Sequence, residues 1–158
     1  MKKLFIFVLT ATLLFAGMQA KSQGAARQPN CDDAFIIHQA DSIKLELAKQ
    51  GFIVVKEASM TMESEYEIPV IVPLTQGSWY QFVFIGDITS RLYEVRMFDW
   101  DEKQVAYQRK QWGDVDGNVI SYSYIPKFSE YHMMKPVQVN KKKKKLCGYV
   151  MLLKKVKQ

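Results

Sequence analysis

The chain has 158 residues, of which 48% are hydrophobic, 13% aromatic and 24% charged, with 22 Lys+Arg against 16 Asp+Glu. Those proportions exclude a disordered polymer, a collagen-like repeat and a disulfide-dense mini-scaffold, each of which needs a composition far from the globular average. At about 150 residues one domain buries roughly two-thirds of its unfolded-chain surface, so a core can form without a metal or several disulfides.

Lys2 and Lys3 precede an apolar run from Leu4 to Gly17, followed by small and polar residues, which is the layout of a secretory signal peptide. The run falls short of the ~20 residues that cross a bilayer, and no later apolar stretch reaches that length. Ala20 and Ser22 favour cleavage after Ser22; a cut after Ala20 would put the bulkier Met18 three residues upstream. Cys31 lies downstream, but Gln28-Pro29-Asn30 lacks the small-residue context of bacterial lipoprotein processing. Residues 1–22 therefore read as a signal peptide, 23–31 as a flexible lead-in and 32–158 as a single domain, secreted or periplasmic. Loss of Lys2, Lys3 and Lys21 lowers the formal charge from +6 to +3. Residues 23–140 then carry −5, while Lys141 to Lys145 with Lys154, Lys155 and Lys157 carry +8, so an acidic body ends in a basic tail.

In an oxidising compartment Cys31 and Cys147 are expected to form a disulfide tying the start of the mature domain to its last strand. A redox or nucleophilic cysteine would want a CxxC pair or a neighbouring histidine, and neither is present. From Asp32 to Gln50 apolar residues recur mostly at steps of three and four, which predicts one amphipathic helix, opened by Asp32 and Asp33 and stopped by Gly51. The period then changes. Phe52 to Glu63, Tyr66 to Val72, Trp79 to Ile85, Leu92 to Trp100, Gln104 to Trp112, Val119 to Ile125, His132 to Val139 and Leu146 to Val156 are short aromatic and branched runs separated by turn residues. Eight such runs with no helix between them predict an all-β domain with one N-terminal helix, an antiparallel β-sandwich of jelly-roll type. Tyr80, Phe82 and Phe84 share one face of their run, and Tyr93, Val95 and Met97 oppose Glu94 and Arg96, so one face is core and one wetter. Pro69, Pro73, Pro126 and Pro136 are expected at strand ends or edges.

The runs PLTQGSWYQFVFIGD, RLYEVRMFDWDEKQVA and YIPKFSEYHMMKPVQV resemble the bacterial pre-peptidase C-terminal type of jelly-roll module, over Pro73 to Val139. That family pattern has a glycine-containing turn into a strand, a strand ending in an Asp-rich turn, and a late strand entered through a Pro and a Tyr; Glu130 stands where its turn glycine would be. The resemblance implies a β-sandwich that accompanies secreted proteins and is non-catalytic or carbohydrate-binding.

Chemistry-bearing motifs are few. His38 and His132 are the two histidines, one in the helix pattern and one at a strand entry, and both read as structural or surface groups. There is no GxSxG, HExxH or GxxxxGK[ST], hence no catalytic residue and no cofactor to assign, and a hydrolase would need convergent polar groups that no motif announces. Glu63, Glu65 and Glu67, spaced by two, read as a solvated edge. Two acidic turns have calcium-like ligands, Asp99-Trp100-Asp101-Glu102 and Asp114 to Asn118, with Asp114, Asp116 and Asn118 as the candidates in the second; its early glycine and Ile125 at the closing position favour a hairpin turn. Lys141, Lys142, Lys143, Lys144 and Lys145 form a cationic loop between two strands, facing water and able to meet an anionic surface such as lipopolysaccharide or an acidic glycan. Export and the absence of a motif argue against nucleic acid. Trp79, Trp100 and Trp112 are candidate ligand-stacking aromatics. The sequence thus points to an exported, non-catalytic binding or accessory module of the bacterial envelope, recognising a glycan or protein, with the lysine loop as an alternative anion contact.

Overall fold

The computed structural model describes residues 31–111 and 117–156. The signal peptide, most of the lead-in, Trp112, Asp114 and Asp116 lie outside the described residues.

Helix α1 runs from Ala34 to Lys49. Asp33 caps it, its carboxylate accepting from the backbone N–H groups of Phe35 and Ile36 at 2.9 and 3.1 Å, which satisfies donors that no earlier turn can. The helix ends at Gln50, and Gly51, at φ 83°, turns the chain back. Ile36 and Ala40 are buried and Ile43 and Leu47 half-buried; that 4-3-4 spacing makes a single stripe, which lies on the first sheet.

Eight strands follow: β1 Phe52–Glu63, β2 Val70–Leu74, β3 Tyr80–Gly86, β4 Leu92–Phe98, β5 Gln104–Gln111, β6 Val119–Tyr124, β7 Glu130–Val139 and β8 Lys145–Lys155. They form two four-stranded sheets, ordered β1-β8-β3-β6 and β2-β7-β4-β5, with every pairing antiparallel. This is the jelly-roll arrangement, in which alternate strands pass from one sheet to the other. Between the sheets lies the main core, including Met60, Met62, Phe82, Phe84, Val95, Met97, Ile120 and Met134. A second core of Ile36, Ala40, Phe52, Val83, Ile85, Met151 and Leu153 lies between the helix and the outer face of the first sheet. From Phe82 to Ile85 in β3 and from Tyr149 to Leu153 in β8 the strands are therefore buried on both faces, and each stretch reads as a continuous apolar run. The disulfide Cys31–Cys147 joins the approach to the helix to β8, with the Cα atoms 5.5 Å apart.

Two expectations need correction. The second strand begins at Val70 rather than Tyr66, because Glu65, at φ 75°, turns the chain so that the Glu65 and Ile68 amides donate to the carbonyls of Gln138 and Pro136 on β7. Pro136 is neither at a strand end nor on an edge: it lies within β7, between β2 and β4. The nitrogen and carbonyl of one strand residue point to the same neighbour, and the Pro136 carbonyl faces Ile68. The β2 ladder has already ended at Val70–Met134, so the missing N–H breaks no rung.

Candidate functional site

Among the described residues, the helix covers the outer face of the first sheet and no element covers that of the second. On the second sheet Tyr93, Val95, Met97, His132 and Met134 point inward, so period two turns Glu94, Arg96, Phe98, Tyr131, Met133 and Lys135 outward. The β5 register adds Tyr107 opposite Arg96 and Arg109 opposite Glu94 to this outer face. Two carboxylates organise its centre. Glu94, whose side chain is 12% exposed, meets Arg96 at 3.1 Å and Arg109 at 3.5 Å and accepts from the Tyr107 hydroxyl at 3.3 Å. Glu67 meets Arg96 at 3.3 Å and Lys135 at 3.2 Å, and the Lys135 ammonium sits 5.1 Å from the Phe98 ring centroid. Toward one end of the same face Trp100 and Tyr131 pair with centroids 6.1 Å apart, 68% and 53% exposed. Trp100 stands in the turn after β4 rather than in the strand. Asp99 shapes that turn by accepting from the Lys103 amide at 2.8 Å, with Glu102 at φ 59°.

The other predicted site residues are scattered. Trp79 lies at the end of the sandwich beside Phe52 and Lys155, remote in sequence and sheet from Trp100. Asn118 is buried with its amide engaged: its Nδ2 donates to the Gly86 carbonyl at 2.7 Å and to Gln39 Oε1, and its Oδ1 accepts from Gln39. Among the described residues no group of three His, Cys, Asp or Glu is placed to hold a metal. Glu63 ends β1, Glu65 is in the turn and Glu67 joins the outer-face network, so the three do not line one strand face. His38 is exposed on the helix. His132 is buried between the sheets, its Nε2 3.2 Å from the Tyr124 hydroxyl and its Nδ1 3.4 Å from the Glu130 carbonyl, a packed structural group.

The lysine run is not uniform. Asn140 shapes the loop, its Oδ1 accepting from the Lys142 and Lys143 amides and its Nδ2 donating to Thr89. Lys145 begins β8 opposite Glu63. Lys143 does not simply face water: its ammonium lies 2.7 Å from Asp87 Oδ2, and Asp87 is 3% exposed. Burial raises the Asp87 pKa, but Lys143, the Thr89 hydroxyl and amide, and the Cys147 amide outweigh it and hold the carboxyl below its ordinary range. Lys141 and Lys142 line a shallow hollow of about 430 Å³ together with Arg91, Thr89 and Asn140. Sequence reading missed Arg91, because the β3–β4 and β7–β8 loops meet only in the fold. It also missed Tyr107, Arg109 and Tyr131 as one surface, although the Glu94 and Arg96 alternation marked the wet face from which they follow.

No family model and no curated protein matches the chain, so the pre-peptidase resemblance stands on the quoted residues alone. Among solved structures the chain is similar to one described as "CBM4 structure and function", with 14% identity, 66% of this chain and 79% of that chain covered, and a TM-score of 0.43. It is also similar to TmCBM61 in complex with β-1,4-galactotriose, at 12% identity, 68% and 84% coverage and a TM-score of 0.37. A third likeness is to the glycosylation-associated Gap123 complex of Streptococcus agalactiae, at 11% identity, 66% and 39% coverage and a TM-score of 0.33.

Proposed function

We propose that the chain is an exported, non-catalytic module of the bacterial envelope that binds a glycan on the open outer face of its second sheet. One observation carries this reading: the helix seals one outer sheet face, while the other keeps exposed aromatic rings beside a lattice of planar charged groups. A sugar ring has a C–H face that packs on Trp100 and Tyr131, and hydroxyls that exchange hydrogen bonds with Arg96, Arg109, Glu67 and Glu94. Binding is favoured over hydrolysis because the Arg96 guanidinium bridges Glu67 and Glu94 and fills the space between them that a glycosidase leaves for the sugar and its water. The bonded cysteine pair fits the oxidising compartment that export supplies.

The test is affinity electrophoresis of the mature chain through gels containing soluble β-glucan, xylan or galactan. Retardation by one of them should weaken about threefold to tenfold in Trp100→Ala and Tyr131→Ala. Both side chains are exposed, so these variants should keep wild-type melting temperatures. Migration indifferent to every glycan, or to both substitutions, would remove the proposal. A second reading, contact with an anionic surface, is favoured by the hollow lined by Arg91, Lys141, Lys142 and Lys143, four cationic side chains of which Lys143 is paired with Asp87.

A further inference from the structure

At the end of the sandwich remote from the lysine loop, three segments that are far apart in sequence frame a groove of about 810 Å³. Its walls are the helix C-terminus (Lys49, Gln50, Gly51), the β2–β3 turn with Trp79, and the end of β8 (Lys154, Lys155, Val156). Backbone hydrogen bonds fix the frame. The Val156 amide donates to Gly51, the Lys155 amide to Trp79, and the Gly77 amide to Pro126, at 2.9, 2.8 and 3.0 Å. Gly51 and Gly77 both have positive φ, at 83° and 69°, which lets two tight turns border the groove.

The chemistry of the lining is specific. Trp79 packs edge-on against Phe52 with centroids 5.8 Å apart, and the Lys155 ammonium lies 4.4 Å from the Trp79 centroid. Lys49 and Lys154 also line the groove, with no carboxylate among the lining residues; Lys49 pairs with Glu46 at 3.3 Å and the Lys154 ammonium lies 5.8 Å from the Tyr80 ring, so Lys155 is the cation beside Trp79. The helix C-terminus contributes only about half a negative charge, which Lys154 and Lys155 outweigh once Lys49 is set against Glu46. Gln50, Gln76 and Ser78 supply amides and a hydroxyl. An anionic lipid would need an apolar slot for its chains, and Trp79 and Val156 alone do not make one. Trp79 also borders a smaller hollow with Ser123, Tyr124 and Ile125, so the indole forms a wall between two recesses.

We infer that this groove is a second binding site, for an acidic sugar whose ring stacks on Trp79 and whose carboxylate is held by Lys155, with Lys154 adding positive charge at the rim. It shares no residue with the outer sheet face and stands whether or not that face binds a glycan. The probe is a short oligogalacturonate, compared by isothermal titration with the neutral galacto-oligosaccharide of equal length. The acidic oligomer should bind, its affinity should fall with salt, and Lys154→Gln combined with Lys155→Gln should weaken it about tenfold or more. Because Trp79 supports Phe52, Trp79→Phe serves as a milder second variant and should weaken binding without unfolding the chain. Trp100→Ala should leave it unchanged. Equal binding of the neutral oligomer, no binding of the acidic one, or loss of binding in Lys141→Gln/Lys142→Gln rather than in the Lys154/Lys155 variant would each overturn the inference. So would binding to vesicles containing phosphatidylglycerol in preference to oligogalacturonate.

Discussion

Replacing Lys143 by methionine isolates one ion pair that the surrounding lysines do not share. The substitution keeps the length of the side chain and removes the ammonium 2.7 Å from Asp87 Oδ2. That oxygen is then left with the Cys147 amide at 3.4 Å, while Oδ1 keeps the Thr89 amide and hydroxyl at 3.0 and 2.6 Å. Removing one partner of a fully buried pair costs about 3–5 kcal/mol. The Lys143 side chain is 51% exposed, so water reaches the vacated position, and three donors stay on the carboxylate. The expected loss is therefore about 1–2 kcal/mol, or a fall of about 3–8 °C in Tm for a domain of this size. Lys141→Met and Lys142→Met, as loop controls, should stay within about 0.5 kcal/mol of the wild type. The pH dependence has a definite sign. Asp87 is held below the ordinary aspartate value of 3.8, so its contribution is fully present above that pH and disappears as pH falls through the folded-state value. The gap between Lys143→Met and wild type, followed by urea denaturation, should be constant near neutrality and close below about pH 4. Equal stability of Lys143→Met and Lys141→Met at pH 7, or a gap that widens in acid, would refute the reasoning.

Three further outcomes are expected. Gly86→Ala should destabilise by about 1–3 kcal/mol in thermal denaturation, because its methyl would meet the Tyr93 ring at 2.5 Å and that ring is pinned by hydroxyl bonds to the Asp87 and Ser90 carbonyls. Replacing Cys31 and Cys147 by serine opens a loop with a sequence separation of 116 and should lower stability by about 2–5 kcal/mol, which a chemical-denaturation midpoint unchanged by the double substitution would contradict. Burial, with Asp87 nearby, pushes the Tyr93 hydroxyl up to about 12, and burial pushes Tyr122 higher still. Their contribution to stability is fully present below about pH 10 and lost as pH rises through the folded values, so in a spectrophotometric titration these two tyrosines should ionise only with alkaline unfolding.

The architecture was legible because its determinants are local. Alternation in Tyr93 to Phe98 separates core from water, turn residues punctuate the strands, and Asp33 and Gly51 bracket the helix. Even the double burial of β8 is written in the run Tyr149 to Leu153, which has no polar member. The candidate surfaces are less legible because each is assembled across strands. Trp100 and Tyr131 are 6.1 Å apart in the fold and far apart in the chain, and nothing local in either segment names the other. Lys143 illustrates the converse: five identical neighbours look equivalent in sequence, yet only this one is paired with Asp87, a residue of the β3–β4 loop. Pro136 was misread for a related reason, since its tolerance depends on where a different strand stops.

The first strand of this fold pairs with the last. β1 lies on β8 along its whole length, from Phe52–Lys155 to Glu63–Lys145, so a chain that emerges N-terminus first carries β1 without its hydrogen-bonding neighbour until β8 arrives. About 80 residues separate the end of β1 from the start of β8, a wait of roughly 4–16 s at ordinary synthesis rates. During that interval Ile53, Val54 and Val55 form an exposed apolar segment with an open backbone, the kind of strand that recruits other chains. The register break between Val54 and Lys56 interrupts regular pairing at that very segment, and Lys56 places a charge directly after it. Until β8 arrives it is the Lys56 charge that sets this segment against self-association, and the bulge takes over only in the finished sheet, where β1 remains an edge strand.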